Sequence, residues 1–128
     1  DSLADFRLMD QTTLEIGRIG EDIAQKYLSS LGFKILEQNW RWRNCEIDII
    51  AIHQDKIVFI EVKTRGRNRI DQGVDISLRQ RKRIIHAANS YLLKKGEIKL
   101  EARFDLVRVR KTNGDWWVEH IGGAFEVV

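Results

Sequence analysis

A chain of 128 residues with 43% hydrophobic and 32% charged content suits one compact domain with its own core and a solvated surface. No apolar run approaches the roughly 20 residues that span a bilayer, and no basic start followed by an apolar core reads as a signal peptide. A single cysteine, Cys45, excludes an internal disulfide and cysteine-cluster zinc sites, so a cytoplasmic protein with no membrane association is expected.

Residues 1–13, around the only methionine at Met9, are expected to form an N-terminal extension, which leaves 14–128 as a single domain. From 14 to 31, Ile16, Ile23, Tyr27 and Leu31 recur at helical spacing and Gly32 supplies a stop. Glu21 falls at the edge of that apolar stripe, where it can look toward whatever the helix packs on; a surface glutamate favoured by the helix dipole is an equally good reading. Residues 33–40 read as a strand, with Trp40 and Trp42 as packing residues rather than a base-stacking platform. Residues 41–44 read as a polar connection whose Arg41 and Arg43 can meet phosphate.

Next come two runs rich in Ile and Val, 47–52 and 57–62, flanking Gln54-Asp55 in the pattern of a β-hairpin. A turn symmetric about that pair sets Asp48 opposite Glu61 and Glu46 opposite Lys63, all on one face by strand alternation. Ile47, Ile49, Ile60 and Val62 then occupy the other face. Glu46 with Lys63 is ordinary cross-strand pairing, but two carboxylates in direct opposition are destabilising unless something positive lies between them. Hard cations such as Mg2+ take oxygen ligands, so a divalent ion between Asp48 and Glu61 relieves the clash, and Lys63 adds a positive charge beside it.

The segment 64–77 reads as a long loop, of the kind that is usually functional or disordered. A second helix over 78–95 buries Ile84, Ile85, Ala88, Tyr91 and Leu92 and turns Arg79, Lys82, Arg83 and His86 outward. Gln80 lies at the margin of the apolar arc, where a polar group needs a partner. Strands at 102–110 and 116–121 follow, joined by a turn at Asn113-Gly114. The net charge of +3 hides an uneven distribution: residues 63–83 hold eight bases, including Arg65, Arg67 and Arg69, against two acids, a local +6 that leaves −3 elsewhere. A basic stretch beside an acidic hairpin fits a phosphate backbone brought to a carboxylate site, although a solvated charged loop and helix face explains the count as well.

Asp48 followed by Glu61-Val62-Lys63, after a helix bearing Glu21, resembles the PD-(D/E)XK nuclease superfamily. The fuller set, GRIGEDIAQKYL, CEIDIIA, FIEVKTR, AANSYL, RFDLVRV and a closing AF, resembles the YraN family of small bacterial predicted endonucleases, similar in their core to archaeal Holliday junction resolvases. The resemblance implies an α/β fold with a restriction-endonuclease-like αβββαβ core, a mixed central sheet flanked by helices. It also implies Asp48 and Glu61 as metal ligands joined by the Val62 carbonyl, Lys63 as catalytic lysine and Glu21 as accessory acid. Two positions depart from the family pattern: Cys45 stands where Gly is usual, and Gln80 where many members carry Lys, so Gln80 is read as orienting a water.

The expected function is a Mg2+-dependent endonuclease, with Mn2+ able to substitute and no small-molecule cofactor, acting on branched or otherwise non-standard DNA in repair or recombination. Contacts to DNA are expected from Arg41, Arg43, Arg65, Arg67, Arg69, Arg79, Lys82 and Arg83, and junction resolution would need two sites in a homodimer. The alternative is a nuclease fold that binds nucleic acid without cutting or cuts only with a partner; the intact Asp48, Glu61 and Lys63 weigh against it.

Overall fold

A computed structural model describes residues 13–65, 76–96 and 99–125. Helix α1, Thr13–Ser30, buries Ala24 and Leu28 and ends where Gly32 takes a φ of 91° and the Phe33 N–H donates to the Leu28 carbonyl at 3.0 Å. Strands β1, Lys34–Trp42, and β2, Cys45–His53, form an antiparallel pair in which Trp42 faces Cys45. The connection expected at 41–44 is therefore only Arg43-Asn44: Arg41 and Trp42 gain ladder partners by staying in the strand, and Arg43 makes the reversal with a φ of 57°.

Between β2 and β3, Lys56–Arg65, the turn at Gln54-Asp55 has φ of 50° and 63°, the left-handed pair of a type I′ hairpin. Its symmetry sets the register anticipated from the sequence, from His53 opposite Lys56 to Ile49 opposite Ile60. Helix α2, Leu78–Lys95, then carries the chain back across the sheet, capped by Ser77 Oγ accepting from the Gln80 N–H at 3.1 Å. Strand β4, Glu101–Thr112, pairs parallel to β3, and β5, Asp115–Phe125, returns through a second left-handed turn at Asn113 and Gly114. The sheet order β1-β2-β3-β4-β5, with one parallel pair, is the mixed α/β core expected from the family resemblance, with β5 added at its edge.

The helices cover opposite faces. Under α1, Ala24 and Leu28 pack on Ile49, Ala51, Val58, Ile60, Val62, Val107 and Val109. Under α2, Ile84, Ala87, Ala88 and Tyr91 pack on Ile50, Ile57, Phe59, Phe104 and Leu106. The alternation breaks in β2: Ile47, expected beside Ile49, Ile60 and Val62, lies in the α2-side cluster with Trp40. The cause is in β1, where Asn39 sits between the pairs Gln38–Ile49 and Trp40–Ile47 and takes a φ of 52°, turning the backbone over at that point.

β5 is fastened by a fully buried Asp105, which accepts from Arg103 Nε and Nη2 at 2.8 and 2.9 Å and from the Gly123 N–H at 3.0 Å, with His120 Nε2 at 2.7 Å. The close approach of α1 to β3 rests on Gly20, because a Cβ there would sit inside the Thr64 side chain. Gly20→Ala is expected to lower stability by about 1–3 kcal/mol through overpacking, in spite of alanine's better helix propensity. Thermal melts of Gly20→Ala, Thr64→Ala and the double variant check this, the double variant recovering only part of the loss because the Thr64 Cβ would itself lie 2.8 Å from the added carbon.

Candidate metal and nucleic-acid site

The pairing between β2 and β3 stops at Ile49–Ile60, while β1 stays paired with β2 to Cys45 and β3 stays paired with β4 to Arg65. Two strands joined by a tight turn thus part company at their far ends. Asp48 and Glu61 are the first residues past the last rung. The Val62 N–H, released from the ladder, donates to Asp48 Oδ2 at 2.7 Å, which fixes that carboxylate in the opening. Lys63 Nζ donates to Gln80 Oε1 at 3.2 Å and stands 4.0 Å from Glu61 Oε1. Gln80, half-buried at the start of α2, thus has the partner that its position at the edge of the apolar arc requires.

Glu46 departs from expectation. Because the strands have separated, it does not meet Lys63; it pairs with Arg41 Nη2 at 2.9 Å and turns toward α1. There carboxylate oxygens of Glu21, Glu46 and Asp48 come within 4.8 Å of one another. With its amide nitrogen directed at them, Asn39 donates to Glu46 Oε1 at 3.1 Å and Glu21 Oε1 at 3.0 Å. Glu46 and Asn39 are the residues that sequence reasoning missed at this site. The spacing of Glu46 two residues before Asp48, on the same nominal face, was the available signal; Asn39 offered none.

Electrostatics mark the cluster as short of positive charge. Burial raises the Asp48 pKa, and the charge of Glu61 raises it further. Glu61 is also raised by burial, opposed by its hydrogen bond with Asp48 and by Lys63. Glu21 is pushed up to about 7, by burial first and then by the charges of Asp48 and Glu46. An all-oxygen donor set whose protons are held abnormally tightly fits a hard divalent cation, which would replace those protons.

The expected DNA-contacting arginines divide into groups. Arg79, Lys82 and Arg83 are exposed on α2 and, with Arg43, Trp42 and His86, line a cleft of about 370 Å³. That cleft shares Asn44, Cys45 and Arg83 with a cavity of about 260 Å³ over Asp48 and Glu61. Trp40 packs on Tyr91 with ring centres 5.2 Å apart, as a core residue should. Trp42 stacks on His86 at 5.1 Å and carries the Arg43 guanidinium 4.6 Å from its ring centre. Arg41 is engaged by Glu46 and belongs to the acidic cluster rather than to the cleft. Arg81, counted in the basic stretch, donates to the Ile76 carbonyl at 2.9 Å and is structural. Arg65 faces a separate groove beyond Lys63, and Arg67 and Arg69 lie outside the described residues.

The family model for uncharacterised protein family UPF0102 matches residues 20–109. Similar proteins include UPF0102 proteins of Desulforapulum autotrophicum, 38% identical over 92% of this chain and 98% of the relative, and of Syntrophotalea carbinolica, 39% identical over 93% and 98%. A third, from Parafrankia, is 43% identical over 86% of this chain and 95% of its own.

Because these carboxyls bind protons more tightly folded than unfolded, their contribution to metal-free stability is complete below the ordinary carboxylate value near 4.5. It is lost as pH rises through the raised values. Melting in EDTA is therefore expected to fall by a few degrees between about pH 5 and 8, and the fall should shrink in Asp48→Asn. Melts at stepped pH, with and without the substitution, measure it.

Proposed function

The chain belongs to uncharacterised protein family UPF0102, the YraN family of the sequence resemblance, and we propose that it is a divalent-metal-dependent endonuclease hydrolysing phosphodiester bonds in DNA. The observation that carries this reading is the fork between β2 and β3, where Asp48 and Glu61 stand at the split with Lys63 two residues beyond, beside a basic cleft.

In this reading Asp48 and Glu61, with the Val62 carbonyl, would hold Mg2+ or Mn2+, and Glu21 and Glu46, whose carboxylate oxygens gather with that of Asp48, would supply further oxygens directly or through water. The ion, when bound, polarises the phosphodiester and lowers the pKa of a water. Asp48 is kept in place by the Val62 N–H, which holds its carboxylate beside Glu61. Lys63, tied to Gln80 Oε1, presents its ammonium to the attacking water or to the phosphate; it cannot swing freely into solvent while that bond persists. Gln80, whose amide NH2 is a donor, orients a water beside Lys63. Arg43, Arg79, Lys82 and Arg83 neutralise the backbone leading to the opening, Arg65 extends the contact on the other side, and Arg67 and Arg69 are proposed as further phosphate contacts. No serine, cysteine or histidine nucleophile is required. Branched DNA of repair or recombination intermediates is the proposed substrate class, cut in the cytoplasm, and resolution of a four-way junction pairs two copies of the chain.

A panel of labelled DNA structures incubated with Mg2+, Mn2+ or EDTA tests the proposal. Cleavage is expected with either metal, none in EDTA, and none by Asp48→Asn. That variant removes a charge from an overcrowded site, so without metal it should melt at or above the wild-type temperature. Added metal should stabilise only the wild type, by about 2.7 kcal/mol at a hundredfold excess over Kd. Binding without cleavage of any substrate, together with no metal-dependent melting shift, would make the chain a binding module on a nuclease fold.

A further inference from the structure

Beyond Lys63 the sheet carries a second charged surface that neither the motifs nor the acidic cluster account for. β3 and β4 run in parallel register with Lys63 beside Arg108 and Arg65 beside Arg110. β5 adds Glu119 beside Arg108 and Trp117 beside Arg110. Strand alternation puts all six side chains on the same face, in two rows, and they line a groove of about 350 Å³. α2 packs on Phe59, Phe104 and Leu106 earlier along these strands, and among the described residues no helix residue lines this groove.

Each row places two cations on neighbouring strands about 4.8 Å apart, a juxtaposition that costs stability unless an anion is shared. Among the described residues Glu119, itself largely exposed, brings a carboxylate to the groove and accepts from Arg108 Nη1 at 2.9 Å. Among the described residues that line the groove, the second row, Arg65 and Arg110, has no acid beside it and ends on Trp117, a large apolar ring left 60% exposed. The rows are two residues apart along the strands, about 6.6 Å, comparable with the separation of successive phosphates in an extended strand. Lys63 belongs both to this groove and to the carboxylate opening, so the two are continuous.

We propose that this ledge binds an unpaired DNA strand as it leaves the carboxylate opening, with successive phosphates on the Lys63–Arg108 and Arg65–Arg110 rows and one base stacked on Trp117. The inference rests on the endonuclease reading for its direction and narrows the substrate to DNA with a single-stranded segment next to the cleaved bond. Stacking on an exposed indole beside cations is indifferent to base identity, so the ledge selects strand state and not sequence.

Binding in EDTA separates this from the cleavage chemistry. The probes are a labelled oligothymidine, a duplex with a single-stranded overhang and a blunt duplex. Trp117→Leu should lose about tenfold in affinity for the first two and nothing on the third, and Trp117→Phe, which keeps a ring, should retain most of the affinity. Arg110→Gln should lower the slope of log K against log salt on the oligothymidine by about 0.7, one phosphate contact. Equal loss on the blunt duplex, or no loss on any probe, overturns the ledge. So does light scattering in which Trp117→Leu breaks up a dimer, since Trp117 would then be a subunit contact. The outcomes stay distinct from those of the endonuclease test: a protein that cuts nothing with Mg2+ or Mn2+ yet discriminates overhang from blunt duplex through Trp117 keeps the ledge and loses the hydrolase.

Discussion

Two strands of a tight hairpin normally pair along their whole length, since every unmade rung leaves a donor and an acceptor to be satisfied elsewhere. Here the rungs between β2 and β3 cease after Ile49–Ile60, and the orphaned Val62 N–H is taken up by the Asp48 side chain. The outer strands hold each half of the fork open: β1 follows β2 away to one side, β4 follows β3 to the other. Every feature of the candidate site depends on that separation. It admits α1 with Glu21 to one side and the start of α2 with Gln80 to the other, and it gives the carboxylates room to share a ligand.

Comparison of the two acidic centres shows why one of them is suited to a cation and the other is not. Asp105, wholly withdrawn from water, is met by a bidentate arginine, a histidine and a backbone N–H, so its lone pairs are satisfied by the protein itself. Asp48, Glu61, Glu21 and Glu46 share Lys63, Arg41, the Asn39 amide and one backbone N–H among four carboxyls. The first arrangement is a structural rivet; the second leaves Glu21 pushed up to about 7 and Asp48 and Glu61 also raised, chiefly by burial. Buried charge without compensation is costly, so its persistence points to use.

Around that acidic opening the surface is basic on two sides. The cleft of α2 and the β1–β2 turn lies to one side, and the ledge of β3, β4 and β5 to the other, each with a tryptophan among its cations. On the proposed reading, a polyanion drawn to either surface would be carried past the carboxylates that otherwise repel it. The small net charge of +3 conceals this because acids and bases are segregated rather than balanced locally.

The strands and helices were legible in the sequence because their signals are local. Ile and Val at alternate positions about Gln54-Asp55 dictate both the hairpin and its register, and the apolar spacing of 78–95 dictates which face of α2 points outward. The opposition of Asp48 and Glu61 followed from that register alone, and the family motifs placed Glu21 and Lys63 with them. What the sequence could not determine is how strands behave once they stop being ideal. The left-handed Asn39, which reverses the facing of Ile47, has no composition signal, and without it Glu46 reads as the partner of Lys63 instead of a member of the acidic cluster. Arg108, Arg110 and Trp117 likewise look like ordinary strand residues until the parallel pairing of β3 with β4 sets them beside Lys63 and Arg65. Local periodicity encodes the direction of a side chain relative to its own strand; which side chains become neighbours across a crossover, and where a ladder gives way, is decided by the packing of helices and outer strands that no local pattern records.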